Sequence, residues 1–444
     1  MLNLDQRPAF IKMQKRRFVL GFSMIILKIT GLYFLLSIHF QYDLDSLWGI
    51  HLTLQPWDGT GWLKWLILIA PIFSVLLFQE RMSALLSKTP TLIQLYPRKE
   101  DTPEFYCGFQ TSILVEETLS LAQKMEVSLQ HIFVGSDPYP NAFTAKSFRR
   151  GDYIILLDNL LEILDFQSVQ SVIGHELGHV KSSDSRLRVL GMMPQLDAKI
   201  LSYLLLIQVS GVVAISESLE QLGYRILALA GTAVLLLVVN GLMLVLDQQY
   251  AYCQERLADA YGAFYTSPEG SMNGLLRLNE RSHTLDNFLA AMRLHHRSSL
   301  SADIQKEALE LFPRGSKKME DIIDLAPLYY IQAHLNIISQ KLSLKMTKEE
   351  KQAMAAQLLS RQELDTPLTG LNQLQELPFL WKDFDWNQDE TLERRELWAM
   401  IETLKQHSDS LREDGTQHPS IRDRLLFLAE VFHSEFVANS SKID

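Results

Sequence analysis

Residues 174–180 read Gly-His-Glu-Leu-Gly-His-Val, and this segment constrains the chemistry of the chain more than any other. On a helix His175 and His179 lie one turn apart on the same face, so their imidazoles can bind a single Zn²⁺. Glu176 follows the first histidine and can take a proton from a water molecule that the metal activates. Apolar residues at helical spacing around the motif favour a packed helix over a surface helix with two histidines four apart by chance. The segment therefore predicts a zinc hydrolase.

A catalytic zinc of this type has three protein ligands and leaves a fourth position to water. The candidate for the third ligand is Glu255, in residues 254–259 (Gln-Glu-Arg-Leu-Ala-Asp), which follow a second long helical pattern. Asp259, one turn further on the same face, can hydrogen-bond a ligating histidine and fix its tautomer. A Glu and an Asp at this spacing are usually a solvated acidic face, so the prediction depends on the rest of the chain.

Composition limits the other classes of protein. The 444 residues are 47% hydrophobic, which predicts a mostly water-soluble chain of two or three domains. A net charge of −10 without a basic stripe argues against nucleic acid as a partner. The two cysteines, Cys107 and Cys253, are too few for a disulfide framework and suit a reducing compartment. Since Cys253 is two residues from Glu255 on a helix, it points elsewhere, and we expect a packed thiol rather than a metal ligand.

Four apolar runs approach or exceed the length needed to cross a bilayer, in two pairs. They are residues 18–40, 62–78, 198–215 and 226–246. The fourth qualifies by length and composition alone. The first contains Lys28, at a cost of about 3 kcal/mol that its apolar neighbours outweigh. The second is short and contains Pro71, and the third has Lys199 at its edge, so a buried core helix is the alternative for these two.

The distribution of basic residues predicts the orientation. Five of them precede the first run, residues 41–61 contain none, and basic residues return after the second run. By the positive-inside rule the N-terminus, residues 81–197 and everything after 247 face the cytoplasm. The first run is long and lacks a small-residue cleavage pattern, so no cleavable signal peptide is expected. Both halves of the predicted zinc site then lie on the cytoplasmic side of a lipid bilayer.

Residues 385–396, Asp-Trp-Asn-Gln-Asp-Glu-Thr-Leu-Glu-Arg-Arg-Glu, are similar to an EF-hand loop and are called the acidic loop below. Asp385, Asn387 and Asp389 place oxygens at loop positions 1, 3 and 5. The backbone carbonyl of Thr391 and the carboxylate of Glu396 complete a candidate calcium site. Helices are predicted on both sides, over residues 377–384 and 397–405.

Two features weaken the calcium prediction. Loop position 6, normally Gly, is Glu390, which requires a positive φ or a reshaped loop. No second such loop is visible in the sequence, although EF-hands usually work in pairs. An acidic turn between helices that binds nothing is therefore the alternative.

The chain resembles the membrane zinc metallopeptidases of the HtpX and CAAX prenyl protease family. Five segments carry the resemblance, in the family's order: residues 140–143, 153–161, 175–179, 255–259 and 418–425. Two predicted spans before the zinc helix and two after it resemble HtpX rather than the seven-span prenyl protease. The resemblance implies proteolysis of membrane or misfolded polypeptides, hence protein quality control, in a bacterial-type inner membrane.

The resemblance also implies a substrate-binding strand. Asn141, Ala142 and Phe143 correspond to the family's edge strand beside the cleft, to which substrate backbone adds as a further strand. Independently, the Pro and Asn residues at 138–141 and the apolar run 153–157 predict a small β-hairpin before the zinc helix. Phe143 as an ordinary core aromatic is the alternative.

Two polar residues near the C-terminus are carried over from the family. His418 and Arg424 match its His-Pro-x-x-x-x-Arg segment, and the resemblance places them near the site, to stabilise the oxyanion or brace a ligand. His418 stands before a proline and can equally start a helix.

The predicted protein is a mainly α integral membrane zinc endopeptidase, with four transmembrane helices, a zincin-type catalytic domain containing a small β-hairpin or sheet, and a helical C-terminal region. Residues 1–80 hold the first pair of spans. Residues 81–265 form the peptidase domain, which the other two spans interrupt. A helical extension, 266–415, contains the acidic loop, and 416–444 is the family segment. The alternative is a non-catalytic membrane adaptor or calcium-responsive scaffold with a vestigial metal site, which an intact Glu176 disfavours.

Overall fold

The computed structural model describes most of the chain outside the second and third apolar runs. The described residues are 3–42, 50–54, 92–137, 139–147, 151–182, 218–296, 301–312, 319–341, 346–359, 380–406 and 419–437, with a few single residues between 203 and 216. Helices predominate in them, as the sequence predicts, and they accompany one four-stranded sheet.

The sheet lies next to the predicted zinc helix. Its strands are β3 (Leu92–Tyr96), β6 (Leu129–Gly135), β7 (Ala142–Ser147) and β8 (Gly151–Leu157), in the order β3-β6-β8-β7. β7 and β8 pair antiparallel, which confirms the predicted hairpin, whereas β6 and β8 pair parallel. Two-stranded pairs join β1 (Ile38–Tyr42) to β2 (Ile50–Leu54), and β4 (Phe105–Tyr106) to β5 (Phe109–Gln110).

From Tyr153 to Leu157 β8 is apolar, and both of its faces are covered. Ile154 and Leu156 pack in a core with the helices on one face, while Tyr153, Ile155 and Leu157 pack in a second cluster on the other. The helices of the first face are α2 (Thr111–Lys124), α3 (Asp158–Ile163) and α4 (Phe166–Lys181). A buried strand of this kind reads as a continuous hydrophobic run, in agreement with its sequence.

Two long helices run antiparallel to each other, α1 (Pro8–Ser37) and α5 (Leu219–Tyr265). Phe10 contacts Tyr261, with ring centroids 5.4 Å apart, and Gly21 lies against the ring of Tyr250. A higher residue number in α1 therefore meets a lower one in α5. The N-terminal end of α1 lies at the end of α5 that carries Glu255.

The described structure contains one helix, α5, that is long and apolar enough to cross a membrane, and its apolar window is only 12% buried. This helix contains the run 226–246. The run 18–40 is helical only to Ser37, where β1 follows, so it is not a helix to its predicted end. Residues 62–78 and most of 198–215 lie outside the described residues, and four spans stay a prediction.

The remaining helices build the C-terminal part of the chain. They are α6 (Pro268–His296), α7 (Ala302–Leu311), α8 (Met319–Lys341), α9 (Lys348–Leu359), α10 (Arg394–Gln406), α11 (Ile421–Val431) and α12 (His433–Val437). α6, α7 and α8 share a core around Phe288 and Phe312. The predicted helix 397–405 lies within α10, while the described end of 377–384 is a 3₁₀ turn, Trp381–Phe384.

The two ends of the chain pack together at the base of α5. Leu4 and Phe10 belong to the same core as residues of α5, α6, α10 and α11. Arg7 is buried, donates to the carbonyl of Val431 at 3.0 Å and forms an ion pair with Glu435. The N-terminal segment and the C-terminal helices therefore lie on the same side of the apolar stretch of α5.

Candidate metal centre

Two histidines of α4 meet across one helical turn. The Nε2 atoms of His175 and His179 are 3.2 Å apart, and both side chains are mostly buried. Asp165 caps the helix by accepting a hydrogen bond from the backbone N–H of Ser168 at 2.8 Å. This capped, packed helix holds the two imidazoles in one orientation.

Glu255 of α5 completes a three-residue group. Its two carboxylate oxygens lie 3.6 Å from Nε2 of His175 and 3.6 Å from Nε2 of His179. One ligand atom from each of the three residues lies within 4.8 Å of the others. Two imidazoles and one carboxylate form a donor set of catalytic zinc sites. The residues present therefore fit a zinc ion.

Asp259 fixes the ring of His175. Its Oδ1 lies 2.8 Å from Nδ1 of His175, so the other ring nitrogen, Nε2, points to the three-residue group. Arg424 of α11 donates to both oxygens of Asp259, from Nε at 2.7 Å and from Nη2 at 2.6 Å. Although burial lowers the pKa of a guanidinium, Asp259 raises the pKa of Arg424 above its ordinary value. A partly buried, bidentate ion pair thus supports the histidine.

Small residues allow α4 and α5 to cross at this point. A methyl group added at Gly174 would be 2.9 Å from the Cα of Gly262, and one at Gly178 would be 3.1 Å from the Cα of Ala258. These distances leave no room for a larger side chain. The sequence analysis missed this requirement, although its signal is visible: small residues stand four apart on both helices, at 174 and 178 and at 258 and 262.

Glu176 lies beside the group and is almost fully buried. Burial raises the pKa of its carboxyl; the neighbouring imidazoles, when protonated, oppose the shift, and Glu255 adds to it. A carboxylate with a raised pKa is a stronger proton acceptor. The backbone carbonyl of Glu176 accepts a hydrogen bond from Thr144 of β7 at 3.5 Å, which ties the sheet edge to α4.

β7 forms one edge of the sheet, since only β8 pairs with it among the described strands. Asn141 precedes the strand, and its carbonyl accepts from the N–H of Leu157 at 3.1 Å. Ala142 is buried in the core with the helices, and Phe143 packs against the cluster on the opposite face. The packing of Phe143 agrees with its alternative interpretation as a core aromatic.

The acidic loop is placed against α6. Asp385 accepts from the N–H groups of Asp389 and Glu390, at 3.2 and 2.9 Å. Asp389 accepts from the N–H and hydroxyl of Thr391, at 2.8 and 2.6 Å. Glu390 has a φ of +62°, the positive value that the sequence predicts for position 6.

The last loop residue, Glu396, is buried and accepts from the N–H groups of Trp386 and Glu393, at 2.8 and 2.7 Å. Asn387 accepts from the N–H of Asp389 at 3.2 Å. Among the described residues, the ligand atoms of His175, His179 and Glu255 form the one group placed to hold a metal ion, so the structure does not support the predicted calcium site. His418 lies outside the described residues.

Residues 110–430 match the model of Peptidase family M48, nearly three quarters of the chain. The chain belongs to peptidase family M48. M48 peptidases are zinc metallopeptidases, so family membership and the donor set of His175, His179 and Glu255 agree on the metal and on a protease.

The curated relatives that the chain matches are also named as proteases. The chain is 32% identical over 114 residues to Protease HtpX homolog 1 of Sulfurisphaera tokodaii, which covers 25% of this chain and 37% of the relative. It is 25% identical over 175 residues to the Protease HtpX homolog of Archaeoglobus fulgidus, 39% of this chain and 49% of the relative. The homologue of Dictyoglomus thermophilum is 25% identical over 194 residues, 41% of this chain and 56% of the relative. The chain therefore spans about a third to somewhat over half of the length of these relatives.

Proposed function

We propose that this M48 peptidase is a membrane-bound zinc endopeptidase, with Glu176 as general base. The observation that carries the proposal is the meeting of two Nε2 atoms and the Glu255 carboxylate beside the buried Glu176. His175, His179 and Glu255 would hold the zinc ion. When bound, zinc supplies Lewis-acid chemistry that acidifies a water molecule and polarises the scissile carbonyl.

The protein residues divide the remaining work. Glu176 takes the proton of the attacking water and passes it to the leaving amine. Asp259 holds His175 in the tautomer that leaves Nε2 for the metal, and Arg424 holds Asp259. Because Nε and Nη2 of Arg424 both donate to Asp259, we assign it the role of bracing a ligand. His418 keeps its proposed role at the oxyanion on the family resemblance.

The substrate is a polypeptide that extends the sheet at β7. An exposed edge offers backbone donors and acceptors to an added strand, and the bond from Thr144 to the Glu176 carbonyl keeps that edge beside the zinc helix. Asn141, Ala142 and Phe143 begin this edge and are proposed to contact the substrate backbone.

The site is proposed to lie close to a membrane surface, facing the cytoplasm of a bacterial cell. Glu255 is nine residues beyond Leu246, the end of the apolar run, or about 13 Å along the helix. Phe18 of α1 is 73% exposed and stacks on Phe22, as expected of a lipid-facing surface. Segments of membrane proteins next to the bilayer, and misfolded chains, are the proposed substrates.

The catalytic proposal is tested by Glu176→Gln in the full chain purified in detergent. The variant keeps the three proposed zinc ligands, so we expect one zinc per chain but a fall in peptide turnover of at least about 10²-fold, as for loss of a general base. Zinc content and cleavage of an unfolded protein substrate are measured for both forms, with and without a chelator. Near-normal turnover by the variant would remove Glu176 from the mechanism.

The orientation is tested by cysteine labelling of intact cells, in a chain whose two native cysteines are replaced by serine. A cysteine at Ser218, before the apolar stretch of α5, should react with an impermeant reagent from outside the cytoplasm. One at Ser182, just after α4, should react only after the membrane is opened. The reason is that the apolar stretch of α5 separates the two positions. Labelling of position 182 from outside would invert the arrangement.

Calcium binding by the acidic loop stays a prediction from the sequence. The described oxygens of Asp385, Asp389 and Glu396 already accept hydrogen bonds from amides of the loop itself. Because Glu390 also strains the turn with its positive φ, we expect binding to be weak, with a Kd of about 10⁻⁴–10⁻³ M.

A further inference from the structure

The acidic loop is fastened to α6 by one buried side chain, Asn273. Its Nδ2 donates to the carbonyl of Leu392 at 2.9 Å, and its Oδ1 accepts from the N–H of Leu392 at 2.8 Å. A carboxamide offers a donor and an acceptor side by side, as a peptide unit does. Asn273 thus makes with Leu392 the two-bond exchange of a closely spaced antiparallel pair. The side chain of Asn273 thus gives the loop the two hydrogen bonds that a residue of a neighbouring strand would give.

One turn further along α6, Arg277 links the loop to the start of α4. Its Nη2 donates to the carbonyl of Glu390 at 2.6 Å. Its Nη1 donates to the carbonyl of Ile163 at 3.4 Å and lies 3.4 Å from Oδ2 of Asp165. Asp165 is the residue that caps α4. A single guanidinium therefore contacts both the left-handed position of the loop and the N-cap of the metal-binding helix.

The same face of α6 packs directly on the first two turns of α4. A methyl group added at Gly270 would be 2.8 Å from Cγ of Gln167, and one at Gly274 would be 3.4 Å from Cβ of Ser168. Gly270 and Gly274 lie on the same face of α6 as the loop contacts at 273 and 277, because residues three and four apart are neighbours on a helix surface. A single face of α6 therefore contacts both the loop and α4.

We propose that Asn273 and Arg277 are positioning residues of the peptidase: through α6 they make the conformation of the acidic loop determine the placement of α4. The inference rests on the proposed function for its effect on turnover. His175 and Glu176 stand about three turns along α4 from its N-cap. Because a shift of about 1 Å in catalytic groups can cost about 10²-fold in rate, a small change at the N-cap is enough to reach the chemistry.

The decisive variant is Asn273→Asp. The described hydrogen bonds of Asn273 go to the loop, so an effect on α4 has to pass through α6. Asp has the same shape but lacks the Nδ2 donor, and it places a carboxylate beside the Leu392 carbonyl. Hydrogen exchange of the amides of residues 168–171 is compared with that of 386–393 in the full zinc-loaded chain in detergent, together with kcat, KM and zinc content.

We expect exchange at 168–171 to rise about 10-fold as the cap loosens, and kcat to fall about 3- to 10-fold, with KM and zinc content within about 2-fold. Lys382→Gln is the matched control. It breaks an exposed ion pair with Glu280 of α6, close to the loop but away from α4, and should change none of these values. Faster exchange at 386–393 with wild-type exchange at 168–171 would overturn the proposal.

A second variant keeps the test decisive if Asn273→Asp does not fold. Arg277→Lys retains the positive charge but cannot reach two carbonyls and a carboxylate at once. It should raise exchange at 168–171 with a smaller loss of kcat than Arg277→Met, and equal, wild-type values in both would contradict the role of Arg277. If the wild-type chain binds zinc but cleaves nothing, the proposed function fails, while the exchange data still decide whether the loop positions α4.

Discussion

The metal centre and the acidic loop are both clusters of metal-type ligands, yet they are built in opposite ways. At the metal centre, donors from two helices, α4 and α5, are brought within 4.8 Å of one another. In the loop, Asp385, Asp389 and Glu396 belong to one segment and accept hydrogen bonds from its own amides. A metal ion would hold together the three residues of the metal centre. The oxygens of the loop are already held by hydrogen bonds from the loop's own amides. Sequence spacing alone does not distinguish these two situations.

The largest expected effect separates the two clusters directly. Glu255→Ala should lose bound zinc and, with it, peptidase activity, because three protein ligands become two. Asp385→Ala, the matched change in the acidic loop, should keep stoichiometric zinc. Metal analysis after dialysis at nanomolar free zinc measures both. A Glu255→Ala protein that keeps one zinc per chain would require another residue as third ligand.

The support of the metal centre predicts an intermediate effect. Asp259→Asn keeps the shape but removes the charge that holds the His175 ring and pairs with Arg424. Zinc affinity should fall by about 10–100-fold, the range for residues that orient a ligand. Competition with a chelating dye measures it. The same Asp→Asn change at Asp389 of the loop is the control, and an equal loss of zinc affinity there would mean that the two clusters are not independent.

The three residues that meet in the candidate metal centre could be predicted from the sequence because their signals are local. The spacing of His175 and His179 and the apolar pattern around them predict α4, and residues 254–259 indicate where the partner helix must present Glu255. The β7–β8 hairpin is also local. The contacts that fix the mutual position of α4 and α5 are not local, because the fit of Gly174 against Gly262 joins positions far apart in the chain. β3 and β6 are not predicted for the same reason: β6 pairs directly with β8, but β7 separates the two strands in the sequence.

The acidic loop shows the opposite limit. Its sequence left two possibilities at Glu390, a positive φ or a reshaped loop, and the structure has the positive φ. The partner of the loop could not be predicted. Asn273 precedes Leu392 by 119 residues and belongs to a helix without any motif. A second EF-hand loop is therefore not the partner of this loop in the described structure, because the side-chain amide of Asn273 makes the two hydrogen bonds with Leu392.

The smallest expected effect concerns backbone strain in the loop. Glu390 and Gln388 both have positive φ, +62° and +59°. The left-handed conformation costs an L-residue about 1–2 kcal/mol, whereas glycine pays about 0.5–1 kcal/mol in chain entropy. Glu390→Gly should therefore stabilise the loop by less than about 1.5 kcal/mol and leave peptidase activity unchanged, since Arg277 binds the backbone carbonyl that glycine retains.

Hydrogen exchange of residues 386–393 in the full chain measures this gain, as slower opening by up to about 10-fold. Gln388→Gly should give a similar result, because it removes the same kind of strain. Glu393→Gly is the control: Glu393 is not among the positive-φ residues of the described chain, so glycine there adds entropy cost without relief and should speed exchange. If calcium binds, Glu390→Gly should also tighten it by a similar factor. Faster exchange in both the Glu390→Gly and the Gln388→Gly variants would show that these two side chains stabilise the loop more than their conformation strains it. The shape of the loop would then depend on its own side chains, as the shape of the metal centre depends on helix packing.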